Sequence, residues 1–109
     1  MTYDELSNHR IGKTVYVALK GKVFDVSAND VYKEGGGYHA FAGRDASVAL
    51  GKMNFAEELM NPKNTHWTKE GELDEKQMQV LNDWVAFYEK RYQVIAKLED
   101  PIAVTKSGK

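Results

Sequence analysis

Tyr38 is the residue with the clearest chemical potential, because three glycines, Gly35, Gly36 and Gly37, stand directly before it. Glycine permits positive φ angles and a close approach of the backbone to a ligand. The run therefore predicts a turn that presents a phenol just before a helix start. Three glycines are a weak motif on their own, and a flexible loop explains them equally well.

No other set of reactive side chains forms a recognisable catalytic pattern. The chain contains three histidines, which lack metal-site spacing, at His9, His39 and His66. Serines without the sequence context of a nucleophile elbow stand at Ser7, Ser27 and Ser47. Since the chain has no cysteine, disulfides, thiolate ligands and sulfur-ligated zinc are excluded. The residues alone give no support to hydrolysis.

The bulk composition is that of a single globular domain. Its 109 residues allow one modest core. With 15 Lys and Arg against 16 Asp and Glu, the chain is nearly neutral, so a nucleic-acid partner is not expected. No apolar run approaches the ~18 residues of a membrane span, and the N-terminus lacks the pattern of a signal peptide. We expect a soluble, cytoplasmic protein with no transmembrane segment.

The first third of the chain predicts a short helix followed by a β-hairpin. Thr2 is a helix N-cap for residues 2–9, with Leu6 facing inward. Alternating apolar residues at 14–20 and 22–26 predict two strands joined by a tight turn at residues 20–21. His9 is expected to be an exposed side chain near the helix end.

The middle of the chain carries weaker signals. Asn29 and Asp30 indicate a break with a helix cap. Residues 44–53 fit a helix with Ala46, Ala49, Leu50 and Met53 on one face. Residues 55–60 predict one or two helical turns that end at Asn61 and Pro62. We expect Trp67 to fold back over the edge of the core.

The last helix has the clearest boundary. Asp74 and Gln77 have the spacing of a capping box, and Leu73 and Met78 that of a hydrophobic staple. An apolar stripe then follows helical spacing from residue 75 to about residue 92, through Met78, Leu81, Trp84, Val85, Tyr88 and Tyr92. More than half of this stripe must be core. Residues 94–98 are predicted to close the sheet as a strand.

Several of these motifs, in this order, resemble one known family. They are Gly-Lys-Val-Phe-Asp-Val at 21–26, the glycine turn with Tyr38, Phe-Ala-Gly-Arg-Asp-Ala-Ser at 41–47, Leu-Asn-Asp-Trp at 81–84 and Arg-Tyr at 91–92. Together they are similar to the membrane-associated progesterone receptor component family, which carries a cytochrome b5-like haem/steroid-binding domain. The resemblance covers roughly residues 3 to 98. It implies an α+β fold with a small mixed sheet, a β-hairpin and several helices around a ligand cleft.

The resemblance also implies a site. In that family the tyrosine directly before x-x-Phe-Ala-Gly is the axial ligand of a five-coordinate ferric haem, a role that falls to Tyr38. The family's second tyrosine corresponds to Tyr32, and its basic-tyrosine pair near the haem edge corresponds to Arg91 and Tyr92. From the residues alone, Tyr32 could equally anchor the loop, and Tyr92 could be core with its hydroxyl at the rim.

Two departures bear on the expected cofactor. Many relatives have prolines beside the glycine turn, whereas this chain has Lys33 and Glu34 before its glycines. We therefore expect a more flexible loop and a less certain haem affinity. True cytochrome b5 proteins bind haem through two histidines, one in His-Pro-Gly-Gly, and this chain lacks that sequence. A phenolate ligand favours ferric iron, which argues against fast electron transfer.

The resemblance implies a non-catalytic haem-binding protein that supports haem-thiolate monooxygenases in sterol metabolism, or that handles haem. The alternative is an adaptor that binds a sterol or another apolar ligand without physiological haem. A haem-dependent homodimer, stacked through the open haem face, is a further expectation.

Family members often reside at the endoplasmic reticulum membrane. We expect the domain to span residues 1–98 and residues 99–109 to form a flexible tail. Lys33 and Arg44 lie close enough in sequence to meet carboxylates such as haem propionates, but solvated surface charge is their default. His39 is expected at the surface or behind the ligand residues.

Overall fold

The computed structural model describes residues 1–99, and the predicted hairpin forms its centre. Strand β1 spans Tyr16–Leu19 and strand β2 spans Lys22–Asp25, paired antiparallel with Val17 opposite Phe24. Lys20 and Gly21 both have positive φ, at 49° and 79°, as a two-residue hairpin turn requires. The predicted hairpin is confirmed.

A third strand completes a sheet with the order β1-β2-β3. Strand β3, Gln93–Lys97, pairs antiparallel with β2, and the register shifts between Val23 and Phe24. A single parallel bridge joins Ala18 to Asp45 at the other edge. Apolar side chains are buried on both faces of this sheet, so helices and loops must cover both.

The smaller of the two cores lies under the N-terminal helix. Helix α1, Tyr3–Ser7, has the predicted cap, because the Thr2 hydroxyl accepts from the Glu5 N–H and the Glu5 carboxylate accepts from the Thr2 N–H. Leu6 is fully buried against Ala18 and Val23. The expected inward position of Leu6 is confirmed.

Helix α2 is shorter than the helix predicted over residues 44–53, because it spans Ser47–Lys52. Asp45 delays its start: the carboxylate accepts hydrogen bonds from the backbone N–H and the hydroxyl of Ser47. Met53 was predicted on one helix face with Ala46, Ala49 and Leu50, and this is wrong because the helix ends before it. Met53 is 58% exposed, because it ends the helix in the left-handed conformation, with a φ of 51°.

Helix α3, Glu75–Arg91, is the longest element and packs against α2. Its predicted capping box is present, with Asp74 accepting from the N–H of Gln77. Of its apolar stripe, Leu81, Val85 and Tyr88 are buried, and the rest is partly buried at Met78, Trp84 and Tyr92. These residues join the inward face of the hairpin in the larger core.

Short 3₁₀ turns connect these elements, at Asp30–Tyr32, His39–Phe41 and Glu57–Met60. Asn29 caps the first turn, as expected, and the third ends before Pro62. Trp67 packs against the larger core, also as expected. The predicted tail lies outside the described residues from Asp100 onward. Of that tail, Glu99 is described, and its N–H donates to the carbonyl of Met1 at 2.8 Å.

Candidate functional site

Tyr38 lies at the surface, directly before the 3₁₀ turn His39–Phe41, and is 39% exposed. Its backbone N–H donates to the carbonyl of Val31 at 2.8 Å. Its ring packs against those of Tyr32 and Phe41, with centroids 5.8 and 5.6 Å away. The phenol is thus held by its backbone and by two rings while it stays accessible to a ligand.

The glycine run brings Tyr38 to this place by folding back onto Val31. A Cβ added to Gly36 would lie 2.3 Å from the Val31 carbonyl oxygen, so a larger residue cannot pack there without a shift. Gly37, by contrast, would place its Cβ in open space. Backbone hydrogen bonds from Gly36 to Lys33 and from His39 to Gly36 define the turn. The greater flexibility expected of a proline-free loop stays a prediction.

Behind Tyr38 stands a group of tyrosine hydroxyls. Tyr32 is only 2% exposed, and its hydroxyl lies 2.5 Å from that of Tyr88 on α3. The centroid of the Tyr92 ring lies 6.0 Å from that of the Tyr32 ring and 5.2 Å from that of the Tyr88 ring. The Asn29 amide donates to the Tyr92 hydroxyl at 2.8 Å. The structure therefore brings three predicted site residues, Tyr38, Tyr32 and Tyr92, into one set of ring contacts.

The two buried hydroxyls stay protonated at neutral pH. Burial raises the pKa of Tyr32 far above its usual value of about 10, and the neighbouring Tyr88 and Tyr92 raise it further. Burial also raises the pKa of Tyr88, against an opposing effect of its hydrogen bond with Tyr32. Because they stay protonated, these two groups cannot serve as phenolate ligands themselves.

Arg91 is not drawn into the tyrosine group. Its guanidinium lies over the ring of Phe87, 4.5 Å from the centroid, in a cation-π contact. Arg91 and Tyr92 nevertheless share one wall of a groove of about 740 Å³, whose opposite wall is the 25–31 segment. A ligand that reached this groove would meet both residues.

A row of ring contacts, which we call the aromatic face, runs through Tyr38. It reaches the surface at Tyr38 and Phe55, which are 39% and 44% exposed, whereas its Phe41 and Tyr32 rings are buried. It consists of Phe55, Phe41, Tyr38, Tyr32 and Tyr92, and its successive centroids are 4.9, 5.6, 5.8 and 6.0 Å apart. A second groove of about 500 Å³ lies elsewhere, between α1 and the Glu57–Met60 turn. Tyr38 lines neither groove and is exposed at the surface apart from them.

The remaining candidates have local partners. The Nδ1 atom of His39 lies 3.0 Å from the Tyr32 carbonyl, in agreement with a supporting position. Lys33 pairs with Asp30 at 3.2 Å, and Arg44 pairs with Glu57 at 2.7 Å. His9 is less exposed than expected, since it stacks on Tyr16 with centroids 4.2 Å apart.

Sequence reasoning missed two members of the site, Tyr88 and Asn29. Tyr88 was assigned to the core and Asn29 to a cap, and both assignments are confirmed. These assignments do not predict that Tyr88 contacts the Tyr32 hydroxyl or that Asn29 contacts the Tyr92 hydroxyl. One signal was present: Tyr88 and Tyr92 stand four residues apart, which places both phenols on one face of a helix.

Comparison with known protein families matches residues 2–95 to the cytochrome b5-like haem/steroid-binding domain. The chain belongs to this family. The resemblance seen in the sequence motifs is confirmed by relatives of this family, which include steroid-binding proteins and neuferricins.

Three relatives illustrate the range of this family. "Probable steroid-binding protein 3" of Arabidopsis thaliana is 46% identical over 87 residues, covering 79% of this chain and 81% of that protein. "Cytochrome P-450 regulator dap1" of Schizosaccharomyces pombe is 36% identical, covering 80% of this chain and 54% of that protein. Neuferricin of Danio rerio is 35% identical, and the match covers 90% of this chain and 36% of neuferricin. The chain thus spans about half of the yeast relative and about a third of neuferricin.

Solved structures confirm the family's fold for this chain. The solution structure of an Arabidopsis protein named for steroid binding superposes with a TM-score of 0.77 at 42% identity, covering 91% of this chain and 95% of that one. An Arabidopsis thaliana protein described as having a cytochrome b5-like fold superposes with a TM-score of 0.75 at 41% identity. This match covers 90% of this chain and 88% of that one. The predicted α+β, cytochrome b5-like fold is therefore confirmed.

Two features of the described residues complete the picture of this family member. Residues 1–99 contain no group of three or more His, Cys, Asp or Glu side chains that could hold a metal ion. Over the same residues, no helix has both the length and the apolar character needed to cross a bilayer.

Proposed function

We propose that this chain is a non-catalytic protein that binds ferric haem through the phenolate oxygen of Tyr38 as the single axial protein ligand. The observation that carries this proposal is the exposed phenol of Tyr38 on the aromatic face, in ring contact with Tyr32. A flat apolar ligand can lie against such a face. The family, by its description, binds haem or steroids, and this supports a ligand of that shape.

The donor set suits such a ligand chemically. A haem would supply a ferric iron, whose charge favours the phenolate over the phenol. Tyr38 must lose its proton to bind, whereas the neighbouring Tyr32 keeps its proton in the hydrogen bond that joins its hydroxyl to that of Tyr88. Arg91 and Tyr92, at the groove beside them, are suited to receive the carboxylates of the same ligand.

The proposed role is support of haem-thiolate monooxygenases or handling of haem. The support for the first is the name of the yeast relative, a cytochrome P-450 regulator, with which this chain shares 36% identity. In this role the protein binds a partner enzyme and its cofactor while it performs no reaction of its own.

Titration with haemin, followed by visible absorbance, tests the proposal. The wild type should show saturable uptake with a high-spin, tyrosinate-type spectrum, and Tyr38→Phe should lose both. Tyr16→Phe is the matched control, because it removes a phenol hydroxyl away from the aromatic face. Weak, featureless uptake that is equal in wild type and Tyr38→Phe would contradict haem as the ligand.

Binding of a sterol without physiological haem is the second candidate. The exposed ring of Phe55 at the end of the aromatic face favours it, since this ring offers apolar area and no polar group. The steroid-binding name of the Arabidopsis relative adds support. A sterol that binds the haem-free protein, and that Phe55→Ser weakens while Tyr38→Phe does not, would favour this candidate.

A further inference from the structure

Helix α3 presents a large exposed ring on the side opposite its core contacts. Phe87 is 43% exposed, and the Trp84 ring meets it edge-on with centroids 5.7 Å apart. The Arg91 guanidinium lies over the same ring, 4.5 Å from its centroid. Aromatic side chains and arginine are the residue types enriched at protein interfaces. The buried side chains of this helix, which point the other way, are Leu81, Val85 and Tyr88.

Charged side chains on the same side of α3 have no ion-pair partners of their own. Asp83, Lys90 and Arg91 are exposed, and the ion pairs within residues 1–99 include none of them. The Asp83 carboxylate accepts a hydrogen bond from the Gln79 amide at 2.9 Å, which leaves its charge uncompensated. A partner that covers this side must therefore supply a cation for Asp83, and an anion or an aromatic ring for the two basic residues.

Helical geometry arranges these residues symmetrically about Phe87. With about 3.6 residues per turn, Trp84 and Arg91 flank Phe87 on one side of the helix. Asp83 and Lys90 flank it on the other side. We call these five residues the outer face of α3. Because the members of each pair lie at nearly equal distances before and after Phe87, an antiparallel copy of the helix places Arg91 against Trp84 of the second copy. It places Lys90 against Asp83 of the second copy in the same way.

We propose that the outer face of α3 is a self-association surface, on which a second copy of this chain packs its own α3 antiparallel about Phe87. The two Phe87 rings meet at the centre. Each Lys90 pairs with an Asp83 of the other copy. Each Arg91 lies on a Trp84 of the other copy. The charge pattern favours a second copy as the occupant, because the same face supplies both the cation and the anion that it lacks.

This association is weak, because one face of a single helix forms a small interface. We expect dimers above about 100 µM and monomers in dilute solution. Tyr38 lies outside the outer face of α3, so the association does not require haem. Haem-free Tyr38→Phe should therefore associate like the haem-free wild type.

Exchanging the two charges tests the pairing on the haem-free full chain. Sedimentation equilibrium from about 10 µM to about 1 mM should show the average mass of the wild type rising toward that of a dimer. Asp83→Lys and Lys90→Asp should each weaken association at least about fivefold, since each places like charges opposite each other. The double variant should restore it, because the pair forms again with its charges reversed. Lys63→Asp, at an exposed loop position outside α3, is the matched control and should behave like the wild type.

The double variant also controls for the helix itself. It keeps the acidic residue that Lys90→Asp introduces near the end of α3, where the helix dipole disfavours it. Recovery of association in the double variant therefore reports on contact between two copies, and not on the stability of the helix.

Removal of the central ring gives a second test. Phe87→Ala should stay monomeric up to about 1 mM, while its thermal unfolding changes little because the ring lies outside the core. A wild type that is monomeric at this concentration would overturn the proposal. So would association that the single charge changes leave unaltered, or that the double variant fails to restore. None of these results bears on the haemin titration of Tyr38→Phe, which tests the proposed function separately.

Discussion

The residues of the most recognisable family motif mainly stabilise the fold in this structure. Gly43 has a φ of 70°, and a Cβ there would lie 2.1 Å from the Cγ atom of Arg10. Asp45 is buried, and its carboxylate accepts hydrogen bonds from the Tyr3 hydroxyl and from Ser47. The Phe-Ala-Gly-Arg-Asp-Ala-Ser motif therefore fixes how the chain passes between the hairpin and α2. The proposed ligand residues lie outside it.

A pair of glycine substitutions tests the loop that presents Tyr38. Gly36→Ala should lower the free energy of unfolding by about 1–3 kcal/mol, because the new methyl group meets the Val31 carbonyl. Gly37→Ala should instead raise it by about 0.4–1 kcal/mol, because the site is open and alanine restricts the unfolded chain. Urea denaturation measures both values. Equal effects of the two substitutions would contradict the close packing of Gly36.

Individual site residues differ in how well a sequence can reveal them. Tyr38 is marked locally, because the glycines before it predict a turn. The bond between Tyr32 and Tyr88 joins residues 56 positions apart, so it depends on how α3 packs onto the 3₁₀ turns. No local pattern carries that information, which is why Tyr88 was predicted only as core.

At the scale of elements, side-chain hydrogen bonds set boundaries that periodicity alone misplaces. The same Asp-x-Ser arrangement occurs twice: Asp25 accepts from the N–H of Ser27 after β2, and Asp45 accepts from the N–H of Ser47 before α2. Each serine hydroxyl then accepts from a backbone N–H of the hairpin, from Val15 and Lys20 respectively. Periodicity predicted a helix from residue 44, because the apolar spacing continues through this turn. The capping box of α3, in contrast, uses two residues three positions apart, Asp74 and Gln77, and its prediction is confirmed.

The loop before α3 is tied to α2 through Glu72, and this link should depend on pH. Glu72 accepts a hydrogen bond from the Thr65 hydroxyl and pairs with the Lys52 ammonium group at 3.1 Å. The bond from Thr65 is the largest cause that holds the pKa of Glu72 below its ordinary value of 4.5. A lowered pKa means that folding favours the carboxylate. Its stabilising effect is therefore complete above about pH 4.5 and is lost as the pH falls through the lower folded-state pKa.

Glu72→Gln should accordingly destabilise the protein by about 1 kcal/mol at neutral pH, and the difference from wild type should shrink as the pH falls below about 4.5. Glu70→Gln is the control, because Glu70 is exposed in the same loop. Denaturant unfolding across the acid range measures both variants. A difference between Glu72→Gln and wild type that is constant with pH would show that the carboxylate is not the stabilising form.

At the scale of the whole molecule, the sheet separates two cores, and this organisation follows largely from sequence patterns. Alternation along β1 places Val17 and Leu19 in the larger core and Ala18 in the smaller one. Strand order and the packing of α3 on α2 come from long-range contacts, which periodicity does not encode. The resemblance to a known family supplied the fold class alone, and the structural comparisons confirm that class. The exposure of Tyr38 and Phe55 at the surface, beside the buried rings of Phe41 and Tyr32, could be seen only in the folded chain.

That surface position leads to a prediction about assembly. Tyr38 would occupy one axial side of a bound haem, and the opposite apolar side would remain in water, because Tyr38 lies on an open face and lines neither large groove. Burying that side against a second copy is favourable, since the hydrophobic effect scales with the apolar area removed from water. We therefore expect haem to convert a monomer into a dimer.

Sedimentation velocity on the haem-free and haemin-loaded protein measures this conversion. Tyr38→Phe should remain monomeric in haemin, because it lacks the axial ligand, whereas Tyr16→Phe should dimerise like the wild type. Phe55→Ser should weaken the dimer with little effect on haemin uptake if the ring at the end of the aromatic face joins the interface. Equal sedimentation with and without haemin would rule out haem-dependent dimerisation and would leave the proposed axial role of Tyr38 to the absorbance titration.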